Sequence, residues 1–292
     1  MNVRRTAAPL ATAAVLALAL TACGDDSSDT ADDPAGTPSA SASSAPPSTE
    51  ESPTTDTSSE PAGSLTVPVY YVAQGPLGDR LVREFHAVTG TDPVTAAAAE
   101  LAAQPLDPDY TSYADWVEGA TVADGTISVT VADDPSVTDE AARDLAVQQV
   151  VYTVQAAAGQ RLPVEFVDAS GAPATAVADG PVEAADELDT LLLVNITDPA
   201  EGTIVSGSFT ATGRASSFEA NLLWEVRSGD EAVLDGFTTH GGDWMTGLGE
   251  WSVEVDVSSL EPGTYTFAAL TDDPSGGEGP GASEDTKTIV VE

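Results

Sequence analysis

Between Gly24 and Gly63 the chain offers nothing to bury. This segment is built from Ser, Thr, Ala, Pro, Gly, Asp and Glu, with nine acids, no basic residue and no aromatic one. Such a composition cannot remove enough apolar surface from water to offset the entropy of an ordered chain. Residues 23–63 are therefore expected to form a disordered tether, extended by the mutual repulsion of its acids. From Leu65 onward apolar segments recur at short intervals, and the remaining length suits two domains of ordinary size.

Ahead of the tether, Arg4 and Arg5 precede an apolar run from Leu10 to Leu20, and small residues lead to Cys23, followed by Gly24, Asp25 and Asp26. The run falls short of the roughly 20 residues a membrane-spanning helix needs. Its basic, apolar, cleavable order is that of a secretory signal over residues 1–22. The segment Leu20-Thr21-Ala22-Cys23 resembles a bacterial lipobox. The resemblance implies that Cys23 carries diacylglycerol and becomes the first residue after cleavage, anchoring the protein by lipid to the outer face of the bacterial cytoplasmic membrane. Cys23 is the single cysteine, so no intramolecular disulfide is available and packing alone must hold the fold. The formal charge is −39; losing residues 1–22 removes Arg4 and Arg5 and no acid, giving −39 − 2 = −41. Nucleic acid is excluded as a partner and anionic lipid headgroups are disfavoured, because basic patches bind both.

Residues 64–178 read as a mixed α+β domain. LTVPVYYVA (65–73) and LVREFHAV (81–88) are expected strands around Gly75-Pro76-Leu77-Gly78, with Pro68 placing the first at an edge. Asp92-Pro93 supplies an N-cap and a first-turn proline for a helix running to Pro105, with Val94, Ala97, Ala98 and Leu101 on one face. Asp124-Gly125 marks a hairpin within 120–131. Ser136 or Thr138 is expected to cap a second helix that places Leu145, Val147, Val150, Val151 and Val154 at helical spacing and ends at Gly159. A last strand covers 162–168. The expected arrangement is one small sheet with two helices on one face.

Residues 179–190 read as a linker. Residues 191–292 carry seven strand signals and no helix, which points to an all-β sandwich. In EWSVEVDV, Trp251, Val253, Val255 and Val257 alternate with polar residues, as a sheet with one solvated face requires. Leu260-Glu261-Pro262-Gly263-Thr264-Tyr265 resembles the tyrosine corner of immunoglobulin-like domains, and Trp224 is the expected core tryptophan.

Through LTVPVYYVA, DPVTAAAAELAA and QQVVYTVQAAAGQRLPVEFVDASG, residues 64–178 resemble the GerMN domain of sporulation and germination proteins. Through ITDPAEGTIVSGSFTATGRASSFEANLLWEVRSGD and GFTTHGGDW, residues 193–292 resemble the immunoglobulin-like domain of bacterial spore-germination proteins. The resemblance implies an envelope lipoprotein without catalytic residues or cofactor. It implies that the GerMN-like domain binds an envelope protein or associates with itself. The lipoprotein that names the GerMN family carries two such modules in tandem, whereas this chain has one.

No constellation of catalytic residues stands out in the chain. The two histidines, His86 and His240, lack the spacing of a metal pair, and HExxH and GxSxG are absent. His240-Gly241-Gly242 has the outline of an esterase oxyanion loop but no nucleophile elbow accompanies it. Asp133-Asp134 reads as a turn, and Asn195-Ile196-Thr197 as part of the first sandwich strand. The acids between Thr271 and Asp285 lack regular calcium-loop spacing, so no metal or cofactor ligand is assigned. The candidate contact residues are Trp244 and His240. Trp244, set among glycines near Phe237 and Trp251, carries the alternative reading, a module that binds cell-wall glycan (peptidoglycan).

Overall fold

The computed structural model describes residues 63–273 and 277–292. The expected signal, Cys23 and the tether as far as residue 62 lie outside them. The described residues form an α+β lobe followed by an immunoglobulin-like sandwich, each around its own apolar core.

The first lobe begins with strands β1 (Ser64–Gly75) and β2 (Gly78–Thr89), paired antiparallel in unbroken register around Pro76-Leu77. Helix α1 spans Pro93–Glu100, with the Asp92 carboxylate accepting from the Thr95 N–H at 2.7 Å. It buries Val94, Ala97 and Ala98, and Leu101 just beyond it, as the spacing predicts. The helix stops short of Pro105 because its end is claimed from outside. The Tyr71 hydroxyl donates to the Glu100 carbonyl at 3.1 Å, and the Ser112 hydroxyl to that of Leu101 at 2.5 Å. These hydroxyls satisfy carbonyls that a helix end leaves open.

Strands β3 (Val117–Ala123) and β4 (Thr126–Val131) form the expected hairpin. Its turn residues Asp124 and Gly125 both have positive φ, 51° and 78°, the conformation that makes this dipeptide favourable there. Helix α2 (Glu140–Ala158) is capped by Asp139 rather than by Ser136 or Thr138, the Asp139 carboxylate accepting from the Ala142 N–H at 3.1 Å. Ser136 is engaged elsewhere, donating to Asp115 at 3.2 Å. Gly159 closes the helix in the left-handed region with φ 64°. Strand β5 (Val164–Val167) then pairs parallel with β4.

The expected single sheet is two sheets: β1-β2 alone, and β3-β4-β5. The free edge of β1 is closed by other means. Tyr70 donates its N–H to the Thr153 hydroxyl of α2 at 2.9 Å, and Val72 forms a two-bond bridge with Thr111. Pro68, which has no N–H, completes an edge unable to accept a further strand. Both sheets and both helices still share one core, from Val67 through Val150 to Phe166.

Residues 179–190 pack closely on the first lobe. Val182 bridges to Val164, and a helical turn, α3 (Glu187–Thr190), follows. The sandwich then contains β6 (Val194–Asp198), β7 (Thr203–Val205), β8 (Ser208–Ala215), β9 (Asn221–Ser228), β10 (Glu231–Thr239), β11 (Gly249–Asp256), β12 (Gly263–Thr271) and β13 (Glu284–Val291). One sheet has the order β10-β9-β12-β13-β7 and the other β11-β8-β6. The three-residue β7, parallel to β13, is the strand the sequence signals omit. The Tyr265 hydroxyl donates to the Glu261 carbonyl at 2.9 Å, forming the expected corner.

The core tryptophan is Trp251, 3 % exposed, whereas Trp224 is half-buried. Each lies over the glycine paired with it on the neighbouring strand, Gly213 or Gly236. A Cβ on Gly213 would approach the Trp251 ring to 2.8 Å, and one on Gly236 the Trp224 ring to 2.4 Å. Small residues there are a packing requirement.

Candidate functional site

The loop from His240 to Leu248 presents an apolar tip on a fixed base. At one end His240 is 5 % exposed. Its Nε2 accepts from the Ser217 N–H at 3.0 Å while its Nδ1 meets the Gly241 carbonyl at 2.8 Å. Both ring nitrogens are therefore committed, with the proton on Nδ1, and His240 holds the loop rather than facing a ligand. The Gly241 N–H, a donor an oxyanion loop would keep free, is spent on the Glu250 carbonyl at 2.8 Å. Gly249 lets the two arms touch, since a Cβ there would lie 1.6 Å from the Gly241 carbonyl oxygen. At the other end Leu248 is buried, its N–H donating to Glu187 at 3.2 Å and its carbonyl accepting from Arg214 at 2.8 Å.

Between these anchors the tip faces water. Trp244 is half-buried, edge-to-face with Phe218 at 5.5 Å and 69°. Phe218 is 51 % and Met245 67 % exposed. The aromatic grouping suggested by the sequence is thus redrawn: Trp251 is in the core, Phe237 stands 71 % exposed on β10, and the ring that meets Trp244 is Phe218. Phe218 carries no sequence signal, because it lies on a 3₁₀ turn (Phe218–Ala220) with no strand periodicity.

A second cluster, invisible as a motif, lies where the lobes meet. Lys287, the only lysine of the chain, is 3 % exposed on β13. Its Nζ donates to Asp107 and to the Tyr110 hydroxyl, each at 2.5 Å, and lies 3.4 Å from Asp285. Tyr110 in turn donates to Asp285 at 2.5 Å, and the other Asp285 oxygen accepts from the Ile196 N–H at 2.6 Å. Burial alone would lower the Lys287 pKa, but the field of Asp285 and Asp107 outweighs it and raises the value. Asn195 completes the seam by donating to the Arg83 carbonyl at 3.2 Å.

Nearby, His86 bridges two carboxylates, with Nδ1 2.9 Å from Glu100 and Nε2 3.1 Å from Glu84. Burial lowers its pKa, yet hydrogen bonds and attraction from Glu84 and Glu100 prevail and raise it. Glu84 also accepts from the N–H groups of Leu106 and Asp107 at 3.0 and 2.8 Å, so these three groups form a closed network that orders the loop carrying Asp107.

Three acids of the 271–285 loop are engaged, Asp273 by accepting from the Gly277 N–H at 3.0 Å. Glu284 takes a bidentate bond from Arg227 at 3.0 and 2.7 Å, and Asp285 belongs to the seam. Among the described residues, no group of three or more His, Cys, Asp or Glu side chains is placed to hold a metal ion. Asp133 and Asp134 are exposed in a turn, and Asn195 lies in β6.

The sandwich defines the class of the second lobe as immunoglobulin-like. Residues 193–278 match the family described as the immunoglobulin-like domain of bacterial spore germination, Gmad2. No curated protein matches the chain. Among solved structures, the tandem GerMN domains of the sporulation protein GerM from Bacillus subtilis align at 16% identity and TM-score 0.30, over 45% of this chain and 48% of that one. An endo-β-1,4-mannanase from Thermotoga petrophila aligns at 12% identity and TM-score 0.26, over 37% of this chain and 20% of that one. The chain thus spans less than half of each, and neither likeness carries an argument about activity.

Proposed function

We propose that the protein is a non-catalytic binding or assembly component of the bacterial cell envelope, lipid-anchored through Cys23 on the outer face of the cytoplasmic membrane. It acts there by contact with an envelope protein or a second copy through its GerMN-like lobe. The observation that carries the reading is the match of residues 193–278 to the spore-germination sandwich family. The commitment of both histidines to structural hydrogen bonds supports it. The anchoring is tested by metabolic labelling with an alkyne fatty acid. Label on the wild type and its loss in Cys23→Ala, with release from the membrane fraction, is expected; equal labelling of both would refute the anchor.

The tip formed by half-buried Trp244 with exposed Phe218 and Met245 supports a second reading, binding of cell-wall glycan, since aromatic faces stack on sugars. It predicts sedimentation with purified peptidoglycan that Trp244→Ala abolishes.

A further inference from the structure

The chain contains 48 acids against nine Lys and Arg, so every cation has carboxylates to choose from. Arg161, Arg214, Arg227 and Lys287 each hold one, and Arg80 and Arg143 donate to carbonyls. Arg83 does neither. Among the described residues it is the one cationic side chain with no hydrogen bond or ion pair, and its Nε is buried without a partner. An unsatisfied buried donor is costly to maintain. The guanidinium is nonetheless held in place, lying over the Phe85 ring at 4.7 Å.

Arg83 lines a groove of about 390 Å³ between the lobes, within the size range of small-molecule sites. Phe85, 38 % exposed, and Leu106, 53 % exposed, give it an apolar wall together with Ile196. Asp198 and Glu201 line it as well, yet neither comes within ion-pairing distance of Arg83. One oxygen of Glu201 accepts from the Thr288 N–H at 2.7 Å and one of Asp198 from Thr212 at 3.3 Å, which leaves each with a second oxygen uncommitted. Glu84 and Lys287, also on the lining, are spent in the networks described above. The groove therefore offers a free guanidinium, free carboxylate oxygens set apart from it, and an apolar wall. Both signs of charge are thus presented together beside an apolar surface.

We propose that this groove binds a zwitterion with an apolar stem, an α-amino acid, with its carboxylate on Arg83, its ammonium on Glu201 and Asp198, and its side chain against Phe85 and Leu106. A forked guanidinium suits a carboxylate bidentately. The inference extends the binding-protein reading, but its test uses the purified full chain in solution, so its failure leaves the envelope-partner reading, tested in cells, intact.

The test is titration by ligand-observed NMR with three probes of one stem: norleucine, N-acetylnorleucine, which lacks the ammonium, and norleucine amide, which lacks the carboxylate. Norleucine is expected to bind best. Arg83→Gln should weaken it about tenfold or more, the scale of a lost charge-assisted pair, and Arg83→Lys less. Glu201→Gln should remove the preference for norleucine over its acetyl derivative. Because the Arg83 guanidinium holds no hydrogen bond or ion pair and only lies over the Phe85 ring, Arg83→Gln should melt close to the wild type, and Phe85→Ala, which keeps the guanidinium, should also weaken norleucine. Absence of binding by all three probes, equal binding of either derivative and norleucine to the wild type, or unchanged binding in Arg83→Gln would overturn the proposal.

Discussion

The seam between the lobes and the loop tip at Trp244 invert the usual distribution of polarity. At the seam Lys287, Asp107, Asp285 and Tyr110 are buried, and each finds a partner. At the tip Phe218 and Met245 face water with half or more of their surface, although the loop beneath them is pinned at His240 and Leu248. A buried polar group that is fully partnered is doing structural work, and removing one partner is what exposes its cost. A fixed, uncovered apolar group has no such internal role. The two regions should therefore respond oppositely to substitution: the seam in stability, the tip in binding.

The largest effect is expected for Lys287→Met. It strands Asp107 and Asp285 as unpaired buried charges, and a loss of about 3–5 kcal/mol in urea unfolding is predicted; a change below about 1 kcal/mol would show that the seam is not an ionic lock. In the sandwich core Ile289→Ala, at 0 % exposure, should cost about 2–5 kcal/mol through cavity formation. Asp139→Ala removes the observed cap of α2 and should cost about 1 kcal/mol, whereas Ser136→Ala and Thr138→Ala should not share that effect.

His86 supplies a pH dependence. Its folded pKa is raised, so the folded state favours the protonated ring. Its contribution to stability is fully present below the unfolded value of about 6.5 and is lost as pH rises through the folded value. Stability measured against pH should show that decline in the wild type and lack it in His86→Gln. The smallest stability effects belong to the tip: Trp244→Ala and Met245→Ser should stay within about 0.5–1 kcal/mol, while any glycan retention is lost with Trp244.

The contrast also explains what could be read from the chain. Strand β11 and the β3-β4 hairpin were legible because alternation and Asp124-Gly125 are local signals. The division of the first lobe into two sheets was not, because it depends on Thr153 and Thr111 reaching the β1 edge from distant parts of the sequence. The seam leaves a trace in the sequence. Asp285 and Lys287 stand in phase with Ile289 and Val291 on β13, and Glu84 and His86 in phase with Val82 on β2, all of them buried. A charge at an inward position of an alternating strand must find a partner. The identity of that partner, 180 positions away for Lys287 and Asp107, is settled only by the fold. Trp244 was visible as a tryptophan among glycines; Phe218, its neighbour in space, was not.

The most direct test of the binding account is photo-crosslinking in living cells, with a photoreactive residue placed either at Val122, 45 % exposed on the first lobe, or at Met245 on the sandwich tip. A single substitution at either position leaves Asp107 and Tyr110 in place on Lys287. The account predicts a discrete covalent adduct with an envelope protein or a second copy from the Val122 position. No protein adduct from either position, together with Trp244-dependent retention on isolated cell wall, would contradict it and leave the protein a glycan binder.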